Sequence, residues 1–181
     1  MKKFSTIFLF FFIFSGVSAN QEVIDSLKEG GKIVFIRHAI APGNGDPSNF
    51  DIKDCSTQRN LNTTGIEQAK HIGQFFRDNK IPINLVLSSE WCRCKETAKH
   101  AFKNYKTFKA LNSFFSSKFE ENRDMQMKNL KTFVNNWNSE KNIVFVTHYV
   151  VISEVFNLTV KSGTIIVADK NFNVIGTVEK N

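Results

Sequence analysis

The chain is short of cysteine, of long apolar runs and of repetition, and each shortage narrows what it can be. Three cysteines, Cys55, Cys92 and Cys94, occur in 181 residues. That number allows one disulfide and one spare thiol, Cys55 pairing with Cys92 or Cys94, a usage that fits an exported protein. A metal site is not indicated, because Cys92 and Cys94 lack metal-type spacing and no histidine pair lies near them. His71 and His100 fall in polar, helical segments and read as surface residues. There is no internal repeat, and no low-complexity tract beyond the first residues. Lysines 95, 99, 103, 106, 109 and 118 are loosely spaced and form no block of charge. They read as a solvated helix face or as a basic rim that attracts anionic substrates. No aromatic platform interleaves with them, so nucleic acid is not an expected partner.

The one long apolar stretch, Phe4 to Val17, falls short of the ~20 residues that span a bilayer. Met1-Lys2-Lys3 precedes it, and Val17-Ser18-Ala19 supplies the small residues that a signal peptidase reads. Residues 1–19 are therefore expected to be a signal peptide, leaving a periplasmic or secreted chain, residues 20–181, with no stable membrane anchor. An uncleaved anchor is the rival reading; no cysteine at the cleavage point argues against a lipoprotein. The net charge is +7. Cleavage would remove Lys2 and Lys3 and no acid, leaving a modest positive surplus. The mature length suits one domain with a sizeable core.

Strand and helix patterns alternate. A helix is expected over Gln21–Lys28, stopped by Gly30-Gly31, and then a strand over Ile33–Ile36 without period-2 alternation, hence buried on both faces. Ala39 to Asn62 is a long polar loop, of a length that is usually functional or disordered. Thr63 or Thr64 is positioned to cap a helix carrying Ile66, Ala69, Ile72 and Phe76. A strand over Ile83–Ser88, a helix over Glu90–Phe102, a short strand over Lys106–Leu111 and a helix over Phe119–Asn138 follow. Asn142–Thr147 is a third strong strand, running into His148 and a short apolar helix ending at Phe156. Strands over Thr164–Ala168 and Asn173–Val178 close the chain around Lys170-Asn171. The class is α/β with a largely parallel sheet.

Three strand ends look alike. The first delivers Arg37-His38 into a Gly/Pro loop, the second leads to Arg93, and the third delivers Thr147-His148. Parallel strands share a carboxyl edge, where open α/β sheets bind ligands, so these groups can converge on one pocket. Alone, Arg37-His38 reads equally well as a histidine that happens to follow a core strand. Two arginines and two histidines together suit a phosphate dianion, because guanidinium forks match its oxygens and imidazoles can donate or attack.

These segments resemble the histidine phosphatase superfamily, also called phosphoglycerate mutase-like. Phe35-Ile-Arg-His-Ala39 resembles its Arg-His signature, and Leu61-Asn-Thr-Thr-Gly-Ile-Glu-Gln-Ala69 its Leu-Thr-x-x-Gly-x-x-Gln-Ala helix start. Ser88-Ser-Glu-Trp-Cys-Arg-Cys-Lys-Glu-Thr-Ala98 is similar to its Ser-Ser-x-x-x-Arg-x-x-x-Thr-Ala segment, and Val146-Thr-His148 to its second histidine. The motifs stand in family order across most of the mature chain. The Asp54-to-Leu61 and Trp91-Cys-Arg-Cys94 variants look like an exported bacterial branch of small phosphatases, some described as acting on phosphorylated lipopolysaccharide-core sugars. The resemblance implies a single-domain three-layer α/β/α sandwich with a mostly parallel central sheet.

It also implies a mechanism. His38 would attack phosphorus in line and form a phosphohistidine that water hydrolyses. To attack it must be neutral, with its other ring nitrogen donating to a backbone carbonyl. Arg37, Arg93 and His148 would hold the non-bridging oxygens, so no metal or other cofactor is required. Arg59 is expected either to line the rim and contact substrate or to be a plain surface arginine. Thr147 and Ser88 read as ordinary strand-end hydroxyls that could also support the site. The substrate would be a phosphorylated small molecule or glycan, such as a sugar phosphate.

The general acid departs from the family pattern. Mutase-like members carry a glutamate soon after a Leu-Asn pair, but Leu111-Asn112 is followed by Ser113; larger acid phosphatases carry an aspartate after the second histidine, where this chain has Tyr149. Glu120 or Glu121, in the segment that could fold over the pocket, is the first expectation, and Asp46, Asp51 and Asp54 lie in the loop after His38. A chain without an acid would favour good leaving groups, such as acyl phosphates or phosphoramidates, since losing acid help costs about 10²–10⁴ in rate. Two other readings stand beside the phosphatase: a catalytically weak phosphate-ligand binding protein, and a mutase, which export disfavours.

Overall fold

The computed structural model describes residues 19–180, so the expected signal peptide lies outside the described residues apart from Ala19. In chain order the elements are α1 (Ala19–Glu29), β1 (Ile33–Arg37), α2 (Thr63–Asp78), β2 (Ile83–Ser88), α3 (Cys92–Phe102), β3 (Lys106–Thr107), α4 (Ser117–Glu120), α5 (Arg123–Asn136), β4 (Asn142–Thr147), α6 (Tyr149–Phe156), β5 (Ile165–Ala168) and β6 (Val174–Val178). Single 3₁₀ turns cover Cys55–Thr57 and Lys109–Leu111.

The strands form one six-stranded sheet in the order β3-β2-β4-β1-β5-β6. β3, β2, β4 and β1 pair in parallel, whereas β5 pairs antiparallel with both β1 and β6. β1 and β4 are central and apolar because both of their faces are covered. Along β1, Val34 and Ile36 join the side chains of α1, α2 and α3 in one core cluster. Ile33 and Phe35 turn the other way, into a second cluster with α5 and α6. The result is the three-layer α/β/α sandwich. Each large side chain so buried contributes roughly 1.5–3 kcal/mol.

Asn142, a polar residue at the start of a buried strand, is satisfied on every side. Its amide donates to Leu27 O (2.7 Å) and Pro82 O (2.8 Å), and its oxygen accepts from Lys32 N (3.1 Å). It thereby fixes the starts of β1, β2 and β4 together. At the other edge of the sheet, backbone bonds continue past the strands: His38 N donates to Thr147 O at 2.9 Å, and Ser89 N to Val146 O at 2.9 Å. The carboxyl ends of β1, β4 and β2 are thus held in register, and this positions the site.

Three local expectations are corrected. The cap of α2 is Asn62, whose side chain accepts from Gly65 N at 2.8 Å, not Thr63 or Thr64. The short strand after α3 ends at Thr107, and residues 109–111 form a 3₁₀ turn whose Ala110 and Leu111 are buried. The helix expected over 119–138 is two helices. Phe119 leaves the face of α5 and packs edge-on against Phe50 (5.7 Å between ring centroids) and Trp91 (5.5 Å), so the chain must turn before Arg123.

Candidate active site

His38 follows β1 and is 2 % exposed. Its Nδ1 lies 2.8 Å from the carbonyl of Ala39. A carbonyl only accepts, so Nδ1 carries the proton and Nε2 keeps its lone pair. Burial, then the charges of Arg93, Arg37 and Arg59, depress its pKa from the ordinary 6.5 to about 3. The ring is therefore a neutral base of fixed tautomer, as a nucleophile requires.

His148 follows β4, and its ring centroid is 5.5 Å from that of His38 at a steep angle. Its Nε2 is 2.9 Å from Ser89 Oγ and 3.4 Å from Cys94 Sγ. Burial and the neighbouring Arg93 and His38 push its pKa well down. The Trp91 indole stands edge-on to the ring at 5.4 Å.

Arg37, the last residue of β1, donates from Nη1 to Val160 O at 2.6 Å and lies 5.4 Å from the centroid of the Tyr149 ring. Arg93 projects from the first turn of α3 and is 3 % exposed. The Nε atoms of Arg37 and Arg93 are both buried without a hydrogen-bond partner among the described residues. Such donors are costly unless something accepts from them, and an anion would.

The long loop covers these groups. Phe50 stacks on Trp91 (5.1 Å, 24° between planes), a disulfide joins Cys55 to Cys92, and Gln58 accepts from Cys92 N at 2.9 Å. The pairing left open between Cys92 and Cys94 is therefore Cys55–Cys92, and Cys94 is a buried free thiol. Arg59 donates from Nε to Gly45 O (2.9 Å) and from Nη1 to Ala41 O, bracing the loop from within.

Arg37, His38, Arg59, Arg93 and His148 line one cavity of about 570 Å³, several times the size of a phosphate group. It is also lined by the aromatic side chains of Phe50, Trp91, Phe115, Phe119 and Tyr149, of which Phe115 is 59 % exposed. The expected acid is a correction. Glu120 and Glu121 are exposed and do not line the cavity, because the turn that sends Phe119 inward leaves both carboxylates outside. Asp46 is the acidic residue in the cavity wall, from a Gly-Asp-Pro step in the loop. Ser88 and Thr147 bond to the carbonyls of Ser89 and Leu111 and do not line the cavity; the hydroxyl that reaches His148 belongs to Ser89. Thr97, a residue the motif contained but to which no role was attached, bonds Ala39 N at 2.9 Å.

Two histidines and two arginines gather on the carboxyl edge of a three-layer sandwich, an arrangement suited to an anion. The family comparison agrees: residues 33–142 match the model for the histidine phosphatase superfamily (branch 1), and the chain belongs to that superfamily. Solved structures of similar fold include the protein histidine phosphatase SixA complexed with tungstate (14 % identity over 82 % of this chain and 96 % of that one, TM-score 0.59). Phosphoglycerate mutase from Thermus thermophilus is similar at 14 % identity over 83 % and 99 % (TM-score 0.60). A mycobacterial glucosyl-3-phosphoglycerate phosphatase is similar at 11 % identity over 76 % and 92 % (TM-score 0.55). Among curated proteins, none matches in sequence.

Proposed function

We propose that this chain is an exported phosphatase that hydrolyses phosphomonoesters through a phosphohistidine on His38, without a metal. The observation that carries the reading is the bond from His38 Nδ1 to Ala39 O, which leaves Nε2 unprotonated in a site too buried and too positive to protonate it. In this reading the substrate phosphate lies among Arg37, Arg93 and His148, whose donors meet the charge that develops on its oxygens. Nε2 of His38 attacks phosphorus, the ester oxygen leaves, and water later cleaves the N–P bond. The Cys55–Cys92 bridge and the leader-like residues 1–19 support export. The substrate class is a phosphorylated small molecule or glycan, such as a sugar phosphate. The aromatic wall of the cavity gives room and apolar surface for a ring beyond the phosphate.

A second reading, a phosphate-ligand binding protein of the same fold with weak turnover, is favoured by one observation: Asp46 is tied to Arg93. One assay separates the two. Mature wild type and His38→Ala are compared, in chelator, on 4-nitrophenyl phosphate and glucose 6-phosphate. The phosphatase reading expects turnover that His38→Ala abolishes. Equal rates in the two proteins would reject His38 as nucleophile, and no turnover by wild type would leave the binding protein.

A further inference from the structure

The Asp46 carboxylate meets a donor at each of its lone-pair positions. Oδ1 accepts from Arg93 Nη1 at 2.7 Å and from Arg59 N at 3.1 Å. Oδ2 accepts from Arg93 Nη2 at 3.2 Å and from the Trp91 indole Nε1 at 3.0 Å. Two oxygens offer about four acceptor sites, and all are taken. A proton on this carboxyl group would have to displace one of those donors.

The pair is end-on: both Nη atoms of Arg93 face the carboxylate. A guanidinium held this way keeps one other fork, formed by Nε–H and the outer hydrogen of Nη2. Arg93 Nε is buried and has no partner among the described residues, although Arg93 lines the cavity beside His38 and His148. The orientation of that free fork is therefore set by Asp46, and Asp46 in turn is held by Trp91 and the backbone of Arg59. Burial works against the ionised form of Asp46, yet the hydrogen bonds and charge of Arg93, with those of Arg59 N and Trp91, keep its carboxyl below the usual range.

We propose that Asp46 is a positioning residue, which fixes the Arg93 guanidinium end-on so that its side fork grips the substrate phosphate, and that it is not the proton donor to the leaving group. The proposal rests on the phosphatase reading above for its substrate but not for its geometry. No bond to Asp46 forms or breaks during turnover; the ester oxygen takes its proton from elsewhere or leaves as a stabilised anion.

The test compares Asp46→Asn with wild type by orthophosphate titration in a calorimeter, which needs no turnover, and by kinetics on 4-nitrophenyl phosphate and glucose 6-phosphate. Asparagine presents an N–H₂ where a second acceptor was, so the guanidinium loses its end-on partner. Loss of a charge-assisted pair should weaken orthophosphate binding by roughly ten- to a hundredfold. kcat/KM should fall by a similar factor on both esters. A loss confined to glucose 6-phosphate would identify Asp46 as the acid and overturn the proposal. Unchanged or tighter orthophosphate binding would also overturn it, showing that Asp46 merely competes with the ligand for Arg93. If Asp46→Asn does not fold, Trp91→Phe removes only the indole donor to Oδ2; a smaller weakening of orthophosphate binding is expected, and none would count against the proposal. If wild type binds orthophosphate but hydrolyses neither ester, the phosphatase reading fails while the binding comparison still decides the role of Asp46.

Discussion

The Thr97 hydroxyl accepts the backbone N–H of Ala39 at 2.9 Å, joining helix α3 to the turn that follows His38. It donates in turn to Arg93 O at 2.7 Å, so one side chain secures Ala39, whose carbonyl sets the His38 tautomer, and the residue that would grip phosphate. Thr97→Val keeps the shape and removes both bonds, leaving a buried N–H unpaired. The expected cost is about 1–3 kcal/mol of stability, read by urea unfolding, with reduced turnover under conditions where the variant is folded.

Acid should unfold this protein through its buried histidines. His38 has a folded pKa of about 3 against an ordinary 6.5, so between those values the unfolded chain binds the extra proton and the native chain does not. His148 is displaced in the same direction, chiefly by burial. Stability is therefore full above about pH 6.5 and is lost as pH falls toward 3, by on the order of a few kcal/mol from these groups. Tm followed from pH 7 to pH 4 should decline, and more gently in His38→Asn. An equal slope in the variant would contradict the assignment.

The two kinds of cysteine should behave oppositely. The Cys55–Cys92 bridge spans 37 residues of sequence and fastens the site-covering loop to α3. Breaking it with Cys55→Ser is expected to cost about 3–4 kcal/mol, measured by thermal unfolding. Cys94 is buried, and burial pushes its thiol up to about 12. A thiol reagent at neutral pH should leave it unlabelled in the native protein and label it on unfolding.

The parts of this molecule written in contiguous residues were the parts legible in the sequence. Ile33–Ile36 and Ile143–Val146 show their two-sided burial as unbroken apolar runs, and each leads into residues that meet in the cavity. The partners that tune those residues come from distant segments. Asp46 reaches Arg93 across 47 positions, and Ser89 reaches His148 across 59, and no local pattern encodes either pairing. Glu120 is expected as the acid because its segment follows Leu111-Asn112 and could fold over the pocket. The turn after Phe119 could not be seen in periodicity, since Phe119 fits a helical stripe and is drawn inward by Phe50 and Trp91. The Cys55 pairing was undecided for a related reason. Cys92 and Cys94 are two apart, and only the direction of α3 chooses between them.

Gly65 is small because the chain after His38 passes over it. A Cβ there would lie 2.0 Å from Ile40 O and 2.9 Å from Ile40 C, both backbone atoms. Gly65→Ala must displace the loop at Ile40, and about 1–3 kcal/mol of destabilisation is expected, with lowered activity. Gly45→Ala meets no atom within 4 Å and is strained only by φ +66°, so it should cost about 1–2 kcal/mol. Parallel urea titrations of the two variants, with activity, separate crowding at the site from simple backbone strain.

The central claim is that Nε2 of His38 becomes covalently bonded to phosphorus. The most direct measurement mixes the mature protein with a ³²P-labelled phosphomonoester, quenches within milliseconds in alkaline denaturant, and maps the label by peptide mass. The account predicts acid-labile, alkali-stable phosphate on the peptide carrying His38, absent from His38→Ala. Turnover without any label on that peptide, or label retained in His38→Ala, would contradict it.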